Sequence, residues 1–411
     1  MVDLPNINTA NGALAELLEK KRLVVCVGSG GVGKTTTSAA FAIKAALMGR
    51  RSLVVTIDPA RRLASSLGLK EIGNEETRIP LETLPGFEGV KGSCHAMMLD
   101  TTSAFDELMR TMAKDEASYK RIVNNHIYRI MSDTLAGSHE YVATEKLYDF
   151  YSNDKYDLIV LDTPPMKNAL DFLEATGRLG RFLDRKVLKW FIEPYQNSQV
   201  SGQYNPKSLT GTGKLVFKML SYIFGENFLY DLYEFFIAFV DMFETIRVRT
   251  DEVAKLLRSR DSVFLVITSP HVQVLTEARH FQRELSKRGL PFGGFIVNQV
   301  NMYGESAAAS GFEGVATEMR SYLNDDVKLS QALEEIRISN IVASKRAQRD
   351  KAVIGKLLGH INAEKILRLV PKLEEDIHDI ASLQLLNERL FGEVDSLSSR
   401  KNKGFEADIG G

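Results

Sequence analysis

The sequence predicts an α/β fold in which helices cover both faces of a mostly parallel sheet. Apolar runs of strand length, such as 23–27, 158–161 and 262–268, alternate with longer segments of helical composition. Two apolar runs lead directly into an aspartate, Asp58 and Asp162. Aspartates at the carboxyl ends of parallel strands lie at the edge where α/β sheets bind ligands. One long helical stretch breaks the alternation, so we expect a helical subdomain inserted into the sheet domain.

These segments divide the chain into five parts. We expect a polar segment with a short helix at 1–20, the sheet domain at 21–176 and 261–397, the helical insertion at 177–260, and a disordered tail at 398–411. The sequence predicts helices at 13–20, 37–47, 272–287, 314–359 and 383–397, a largely helical stretch at 101–155, strands at 51–57, 95–99, 294–298 and 365–370, and irregular structure at 70–92.

The composition excludes several classes of protein. A net charge of −1 gives no indication of a nucleic-acid-binding surface. Two cysteines, Cys26 and Cys94, cannot build a disulfide framework or a cysteine-rich metal site. No uncharged apolar run approaches the ~18 residues of a membrane span, and the first residues show no basic-then-apolar signal. We therefore expect a cytoplasmic protein that does not itself span a membrane.

Residues 28–36 match the phosphate-binding loop pattern G-x-x-x-x-G-K-[ST], preceded by a strand and followed by a helix. Glycines let successive backbone N–H groups face one anion, and the helix N-terminus adds partial positive charge. Lys34 can reach the β- and γ-phosphates of a nucleotide, and the Thr35 hydroxyl can bind Mg²⁺. The alternative, a glycine-rich turn with a chance lysine, does not explain the flanking strand and helix. The candidate binding residues are Gly28, Ser29, Gly30, Gly31, Val32, Gly33, Lys34, Thr35 and Thr36.

Asp162 follows four apolar residues downstream of this loop, which is the Walker B pattern. It would bind Mg²⁺ directly or through water, together with Thr35. Thr163-Pro164-Pro165 must leave the sheet, because proline donates no ladder hydrogen bond. The alternative role of Asp162 is to cap a helix. The motifs together predict a P-loop nucleotide-binding protein with ATP or ADP and Mg²⁺ as cofactors.

Several landmarks occur in one order along roughly residues 20–385, and in that order they resemble the ArsA-like anion-transporting ATPases. This family includes arsenite-pump ATPases and the Get-pathway ATPases that target tail-anchored membrane proteins, and it belongs to the deviant Walker A class. The landmarks are Gly28 to Thr36, Thr56-Ile57-Asp58-Pro59-Ala60, Leu161-Asp162-Thr163-Pro164-Pro165, Val297-Asn298-Gln299 and Val370-Pro371.

The resemblance implies a role for four residues outside the loop. Asp58 matches the switch I aspartate that orients the attacking water, and so joins Lys34 as a catalytic residue. Asp162 matches the switch II aspartate near Mg²⁺. Asn298 matches the asparagine that contacts the adenine edge, and Pro371 lies where the adenine loop passes. From the residues alone, Asp58 serves equally well as a helix cap and Asn298 as a turn residue.

The sequence departs from the family at two places, one in the phosphate-binding loop and one in switch II. The class usually carries a lysine directly after the first glycine, where this chain has Ser29, which brings no charge. Arg61 or Arg62 could supply that charge instead, although for either one alone the pattern favours a solvated helix face. The second departure is Met166-Lys167-Asn168, which stands where well-known members have a Gly-His pair.

Two absences limit the function within the family. Arsenite pumping uses a cluster of cysteines, and neither Cys26 nor Cys94 lies in the helical region. The C-x-x-C pair of many targeting members is absent as well. The sequence has one P-loop, so a machine with two nucleotide sites requires two chains, and we expect a homodimer.

The helical insertion contains an amphipathic stretch at 228–246. Its acidic residues fall within one arc of about 140° and its apolar residues within the opposite arc of about 160°. The apolar face can pack on the sheet domain, or it can form a groove that binds an apolar helix of a client. The acidic residues are Asp231, Glu234, Asp241 and Glu244, and the apolar ones are Phe228, Leu229, Leu232, Phe235, Phe236, Phe239, Val240, Phe243 and Ile246.

The sequence therefore predicts a homodimeric, Mg²⁺-dependent ATPase whose nucleotide state moves a helical region that binds a client or a membrane-protein partner. One alternative is a scaffold or partitioning-type protein that binds ATP and barely hydrolyses it, which Ser29 favours. The other is a metalloid-pump subunit, which the missing cysteines disfavour.

Overall fold

A computed structural model defines the fold. It describes residues 10–57, 62–69, 71–83, 87, 89–99, 110, 113, 115–125, 128, 139–164, 218–219, 221–222, 225, 227–229, 231–232, 248–302, 319–320, 326–358, 365–373 and 375–392. The predictions for Asp58 and Arg61, for 166–168, and for the tail at 398–411 lie outside these residues, as does most of the helical insertion.

Eight strands form one mostly parallel sheet. The strands are β1 Leu23–Gly28, β2 Arg51–Thr56, β3 Thr77–Ile79, β4 Ser93–Met98, β5 Leu158–Asp162, β6 Ser262–Thr268, β7 Phe292–Val300 and β8 Ile366–Pro371. Their order across the sheet is β3-β4-β2-β5-β1-β6-β7-β8. Every neighbouring pair is parallel except β3 and β4, which are antiparallel. The predicted sheet architecture is confirmed.

Helices cover both faces of this sheet, as predicted. They are α1 Ala10–Lys20, α2 Lys34–Leu47, α3 Arg62–Ser66, α4 Glu116–Asn124, α5 His139–Ser152, α6 at 248–258, α7 Val272–Lys287, α8 Asp326–Leu358 and α9 Ile380–Phe391. The helices α1, α2 and α9 share one hydrophobic core with the sheet, and α5, α6 and α7 share the other.

The two cores explain why the central strands, such as β1, are apolar on both faces rather than alternating. Along β1, Leu23, Val25 and Val27 point into the core beneath α7, whereas Val24 and Cys26 point into the core beneath α2. Successive side chains of a strand lie on opposite faces, so a strand covered on both faces is apolar at most positions. Each fully buried aliphatic side chain contributes roughly 2 kcal/mol to stability.

Some predicted boundaries were wrong. The stretch 70–92 was expected to be irregular, but it contains β3, whose three residues are too few to produce an alternating pattern. Helix α2 begins at Lys34, three residues before the prediction, because Gly33 ends the loop with φ 88° and directly precedes the helix. Strand β8 includes Pro371, which is tolerated as the last residue of an edge strand.

Part of the predicted helical insertion, at 228–229 and 231–232, packs against the sheet domain. Leu229 is buried, and Phe228 and Leu232 contact the core beneath α7. The Asn125 side chain also donates a hydrogen bond of 2.8 Å to the carbonyl of Asp231. These contacts favour the packing alternative for 228–232. Among the described residues, no helix has the length and apolar character needed to cross a membrane.

Candidate nucleotide site

The phosphate-binding loop connects β1 to α2 and has little space for side chains. A Cβ atom at Gly28 would lie 2.3 Å from the carbonyl oxygen of Ile267 on the neighbouring strand. At Gly33 a Cβ atom would lie 2.4 Å from Asn298 Nδ2, and the residue has φ 88°. Both positions therefore require glycine, which is what the motif supplies.

Lys34 is the first residue of α2 and folds back over the loop. Its ammonium group donates a hydrogen bond of 2.9 Å to the carbonyl oxygen of Ser29, and the residue is 8% exposed. The ammonium group, the loop backbone and the N-terminus of α2 therefore lie close together. This arrangement concentrates positive potential where a polyphosphate would bind.

Two predicted metal ligands, Thr35 and Asp162, are in direct contact. The Thr35 hydroxyl donates a hydrogen bond of 2.7 Å to Asp162 Oδ2. The same oxygen accepts a hydrogen bond of 2.9 Å from the Thr56 hydroxyl, and Asp162 is 0% exposed. Thr56 was not among the predicted site residues. The available signal was its place as the last residue of β2, since β2 and β5 pair with Thr56 opposite Asp162.

The donor set fits Mg²⁺. A hydroxyl and a carboxylate are hard oxygen ligands, which Mg²⁺ prefers over nitrogen and sulfur. In the described part of the chain, no group of three or more His, Cys, Asp and Glu side chains is placed to bind a metal. Mg²⁺ does not need such a cage, because it is commonly held by one or two protein oxygens together with water and phosphate.

Ser29, which replaces the signature lysine, contacts an acidic residue of α7. Its hydroxyl donates a hydrogen bond of 2.7 Å to Glu277 Oε2. A carboxylate beside the first turn of the loop places negative charge where the family usually has a positive one. The partner residue lies far along the chain, and no local pattern in the sequence identifies it.

The two residues assigned to adenine contact lie on neighbouring strands at the same edge. Asn298 on β7 donates a side-chain hydrogen bond of 3.0 Å to the carbonyl oxygen of Val32 in the loop. The next residue, Gln299, has φ 61° and marks an irregularity in β7. Pro371, at the end of β8, pairs with Val300. Asn298 is thus adjacent to the loop, while its contact with adenine stays a prediction.

The cysteines lie apart and are unreactive by environment. Cys26 on β1 and Cys94 on β4 are both buried free thiols, and burial raises the pKa of each to about 12. Two strands, β2 and β5, lie between β1 and β4. At ~4.8 Å per strand the two positions are about 14 Å apart, too far to bind one metalloid together.

Of the residues expected after switch I, only Arg62 is described. It is the first residue of α3 and is exposed. Asp58 and Arg61 lie outside the described residues. The structure therefore brings the loop, Thr35, Asp162 and Asn298 together at one edge of the sheet.

The sequence also matches known proteins. Residues 21–325 match the profile of a family described as Anion-transporting ATPase. The chain is 24% identical over 303 residues to a protein named ATPase GET3 from Chaetomium globosum, which covers 73% of this chain and 79% of that protein. It is 26% identical over 297 residues to ATPase ASNA1 homolog 1 from Paramecium tetraurelia, covering 70% of this chain and 78% of that protein.

A third relative is bacterial. The chain is 30% identical over 179 residues to a protein of Prosthecochloris vibrioformis whose name assigns it to the arsenical pump-driving ATPases. That alignment covers 42% of this chain and 40% of the relative.

Proposed function

The chain belongs to the anion-transporting ATPase family, and from that membership we propose that it is a Mg²⁺-dependent ATPase whose nucleotide state switches a helical region that binds a client. Nucleotide binding and ATP hydrolysis follow at the level of the family. The observation that carries the proposal for this chain is the contact between Thr35 and Asp162 beside an intact phosphate-binding loop. It joins the two motifs that phosphoryl transfer requires.

The side chains divide the work of hydrolysis. Lys34 would offset negative charge on the phosphates, and Thr35 and Asp162 would hold Mg²⁺. The bound cation would supply further charge neutralisation on the phosphate oxygens. Asp58, as in the family motif, would orient the attacking water in line with the departing group.

The switch would act through Asp162. Its carboxylate is tied to Thr35 at the start of α2 and to Thr56 at the end of β2. A cation that binds the Thr35 hydroxyl would replace the hydrogen bond between that hydroxyl and the Asp162 carboxylate. The segments that follow Thr56 and Asp162 begin at these contacts, so their positions respond to what the loop holds.

We propose an apolar helix as the client and a second copy of the chain as the subunit partner. The client proposal rests on the resemblance to targeting members of the family and on exposed apolar side chains in the insertion. Met219 is 67% exposed and Tyr222 is 94% exposed. The subunit proposal rests on the presence of one phosphate-binding loop in the sequence. A second copy of the chain would enclose the γ-phosphate of ATP bound at that loop.

A slow or non-hydrolysing scaffold is the second candidate, because Glu277 approaches the loop through Ser29. The negative charge of Glu277 beside the loop would repel the negative charge on the phosphate oxygens and so slow phosphoryl transfer. Steady-state turnover of Ser29→Lys tests this candidate. The double variant Ser29→Lys with Glu277→Gln is the control, because Glu277 would otherwise form an ion pair with the new lysine. A large gain in turnover in either variant favours the scaffold.

A metalloid-pump subunit is the least favoured function. We expect neither arsenite nor antimonite to stimulate hydrolysis, because Cys26 and Cys94 are buried on separated strands. Stimulation of turnover by either anion would reverse this ranking.

The proposed function is tested on the purified full chain. Phosphate release from ATP should require Mg²⁺ and stop on chelation. Protein purified with a non-hydrolysable ATP analogue should retain short apolar-helix proteins, identified by mass spectrometry. A single soluble partner would favour the scaffold, and the absence of Mg²⁺-dependent phosphate release would contradict the ATPase.

A further inference from the structure

The long helix α8 has an outward face that no described part of the chain covers. It is 33 residues long and is anchored at its ends by Leu329, Asp350, Ile354 and Leu358, which are buried. None of the residues from 330 to 349 is buried. A stretch of about five turns therefore presents a continuous surface to solvent.

The middle of this surface is apolar. Ile338 is 51% exposed, and Ile341 and Val342 are each 40% exposed. These residues have the spacing i, i+3, i+4, so they share one face of the helix. Exposed aliphatic side chains grouped in this way mark an interaction surface more often than scattered ones do.

The two sides of the apolar group differ in charge. Glu334, Glu335 and Arg337 precede it, with Arg337 paired to Glu334, and Lys345, Arg346 and Arg349 follow it, all of them exposed. Positions 334, 338, 342, 345 and 349 follow one another at spacings of three or four residues, so they lie on one face of the helix. From the N-terminal to the C-terminal end, this face therefore presents glutamates, then aliphatic residues, then basic residues.

We propose that this face of α8 binds the same face of α8 in a second copy, with the two helices antiparallel. Glu335 then lies opposite the partner's Lys345, and Gln331 opposite the partner's Arg349, with the symmetry axis near residue 340. The apolar group is centred on the same axis, so it meets its own copy. A parallel arrangement would instead place like charges opposite each other.

Self-complementarity is the reason to choose a second copy over another partner. A twofold interface requires one surface to match itself, with residue i against j and j against i. Glu335 and Lys345 each lie five positions from residue 340, and Glu334 and Arg346 each lie six positions from it, which meets that requirement. An unrelated apolar helix would need only the apolar residues and would gain nothing from this symmetry.

One end of the exposed stretch of α8 is held beside the nucleotide edge. Asp350 accepts hydrogen bonds from the Asn301 backbone at 3.0 Å and side chain at 2.7 Å, directly after β7 ends. Asp350 therefore lies at the edge that carries Asn298 and the loop. The pairing does not depend on ATP hydrolysis, and it adds a contact surface to the nucleotide-dependent dimer proposed above.

Glu335 and Lys345 are the better probes of this interface. Glu334 is tied to Arg337 within the helix, at 2.6 Å. Among the described residues, neither Glu335 nor Lys345 forms a side-chain hydrogen bond or ion pair. They are ten positions apart, about 15 Å along the helix, so they do not pair within one chain.

Charge reversal tests the antiparallel pairing on the full chain by sedimentation equilibrium at low salt. A helix pair is a small interface, so we expect micromolar association. Glu335→Lys and Lys345→Glu should each raise the dissociation constant at least tenfold, because symmetry turns two attractions into repulsions. The double variant should return it to within threefold of wild type. Glu388→Lys on α9, an exposed charge reversal elsewhere, is the control and should have no effect.

The apolar centre and the nucleotide are tested separately. Ile341→Asp should abolish the association, whereas Leu385→Asp on α9 should not. All samples are measured without nucleotide and with a non-hydrolysable ATP analogue, so a failure of nucleotide to promote association contradicts only the nucleotide-dependent dimer. A wild-type chain that stays monomeric at 100 µM in both conditions, or a double variant that is not restored, would overturn the α8 pairing. Loss of client capture in Ile341→Asp with unchanged mass would assign the face to a client helix instead.

Discussion

The Thr35 hydroxyl lies 2.7 Å from Asp162 Oδ2, which joins the first turn of α2 to the end of β5. This contact predicts that both residues act on the same cation. Thr35→Ala and Asp162→Asn should each lower turnover at least tenfold, about 1.4 kcal/mol of barrier, and raise the Mg²⁺ concentration needed for half-maximal rate.

Titration of steady-state rate with Mg²⁺ measures both effects. Thr83→Ala is the matched control, because its hydroxyl bonds only the carbonyl of Pro80 in an exposed turn and should leave the titration unchanged. An unaltered Mg²⁺ requirement in both site variants would show that these oxygens do not hold the metal.

Arg62 is expected to supply charge that the signature lysine would otherwise bring. Arg62→Ala, like Arg61→Ala, should lower turnover at least tenfold with a much smaller change in nucleotide affinity, since the contact matters mainly in the transition state. Arg260→Ala, beside the opposite edge of the sheet, should behave as wild type. Normal turnover in both Arg61→Ala and Arg62→Ala would remove this role.

The cysteines provide a test of the core. Because burial raises the pKa of Cys26 and Cys94 to about 12, both thiols stay protonated at pH 8. A thiol reagent at pH 8 should therefore not label the native chain and should label both cysteines after unfolding in urea. Rapid labelling of the native protein would contradict the described packing of β1 and β4.

The ion pair between α6 and α5 predicts a stability effect. Arg249 contacts Glu145 and Asp149 at 3.0 Å each, and the Glu145 side chain is 1% exposed. Arg249→Leu removes the cation beside a buried carboxylate and should lower the free energy of unfolding by about 3 kcal/mol. Arg258→Leu, on the same helix but exposed, should cost less than ~1 kcal/mol. Equal urea midpoints for the two variants would show that the pair is unimportant.

The sequence predicted most of the sheet because buried parallel strands leave a strong local signal. The runs at 158–161 and 263–267 are apolar at every position, and the structure contains strands at both places. The three-residue β3 was missed because it is too short to show a pattern. The order of strands across the sheet was not predictable, since each run is compatible with any neighbour.

The site divides in the same way. The loop residues and Asp162 were identified because their motifs are local, and the contact of Thr35 with Asp162 follows from the pairing of parallel strands. The contact of Ser29 with Glu277 depends on how α7 packs on β6 and β7, which no short pattern encodes. The roles of Asp58 and Pro371 stay predictions.

The central claim is that this loop hydrolyses ATP, and Lys34 tests it most directly. Initial rates of phosphate release at saturating Mg²⁺ and ATP should fall at least hundredfold in Lys34→Ala, about 2.7 kcal/mol, because the ammonium group over the loop is lost. Lys44→Ala, on the same helix α2 but at its far end, should retain wild-type turnover. Near-normal phosphate release by Lys34→Ala would contradict the assignment of this loop as the catalytic site.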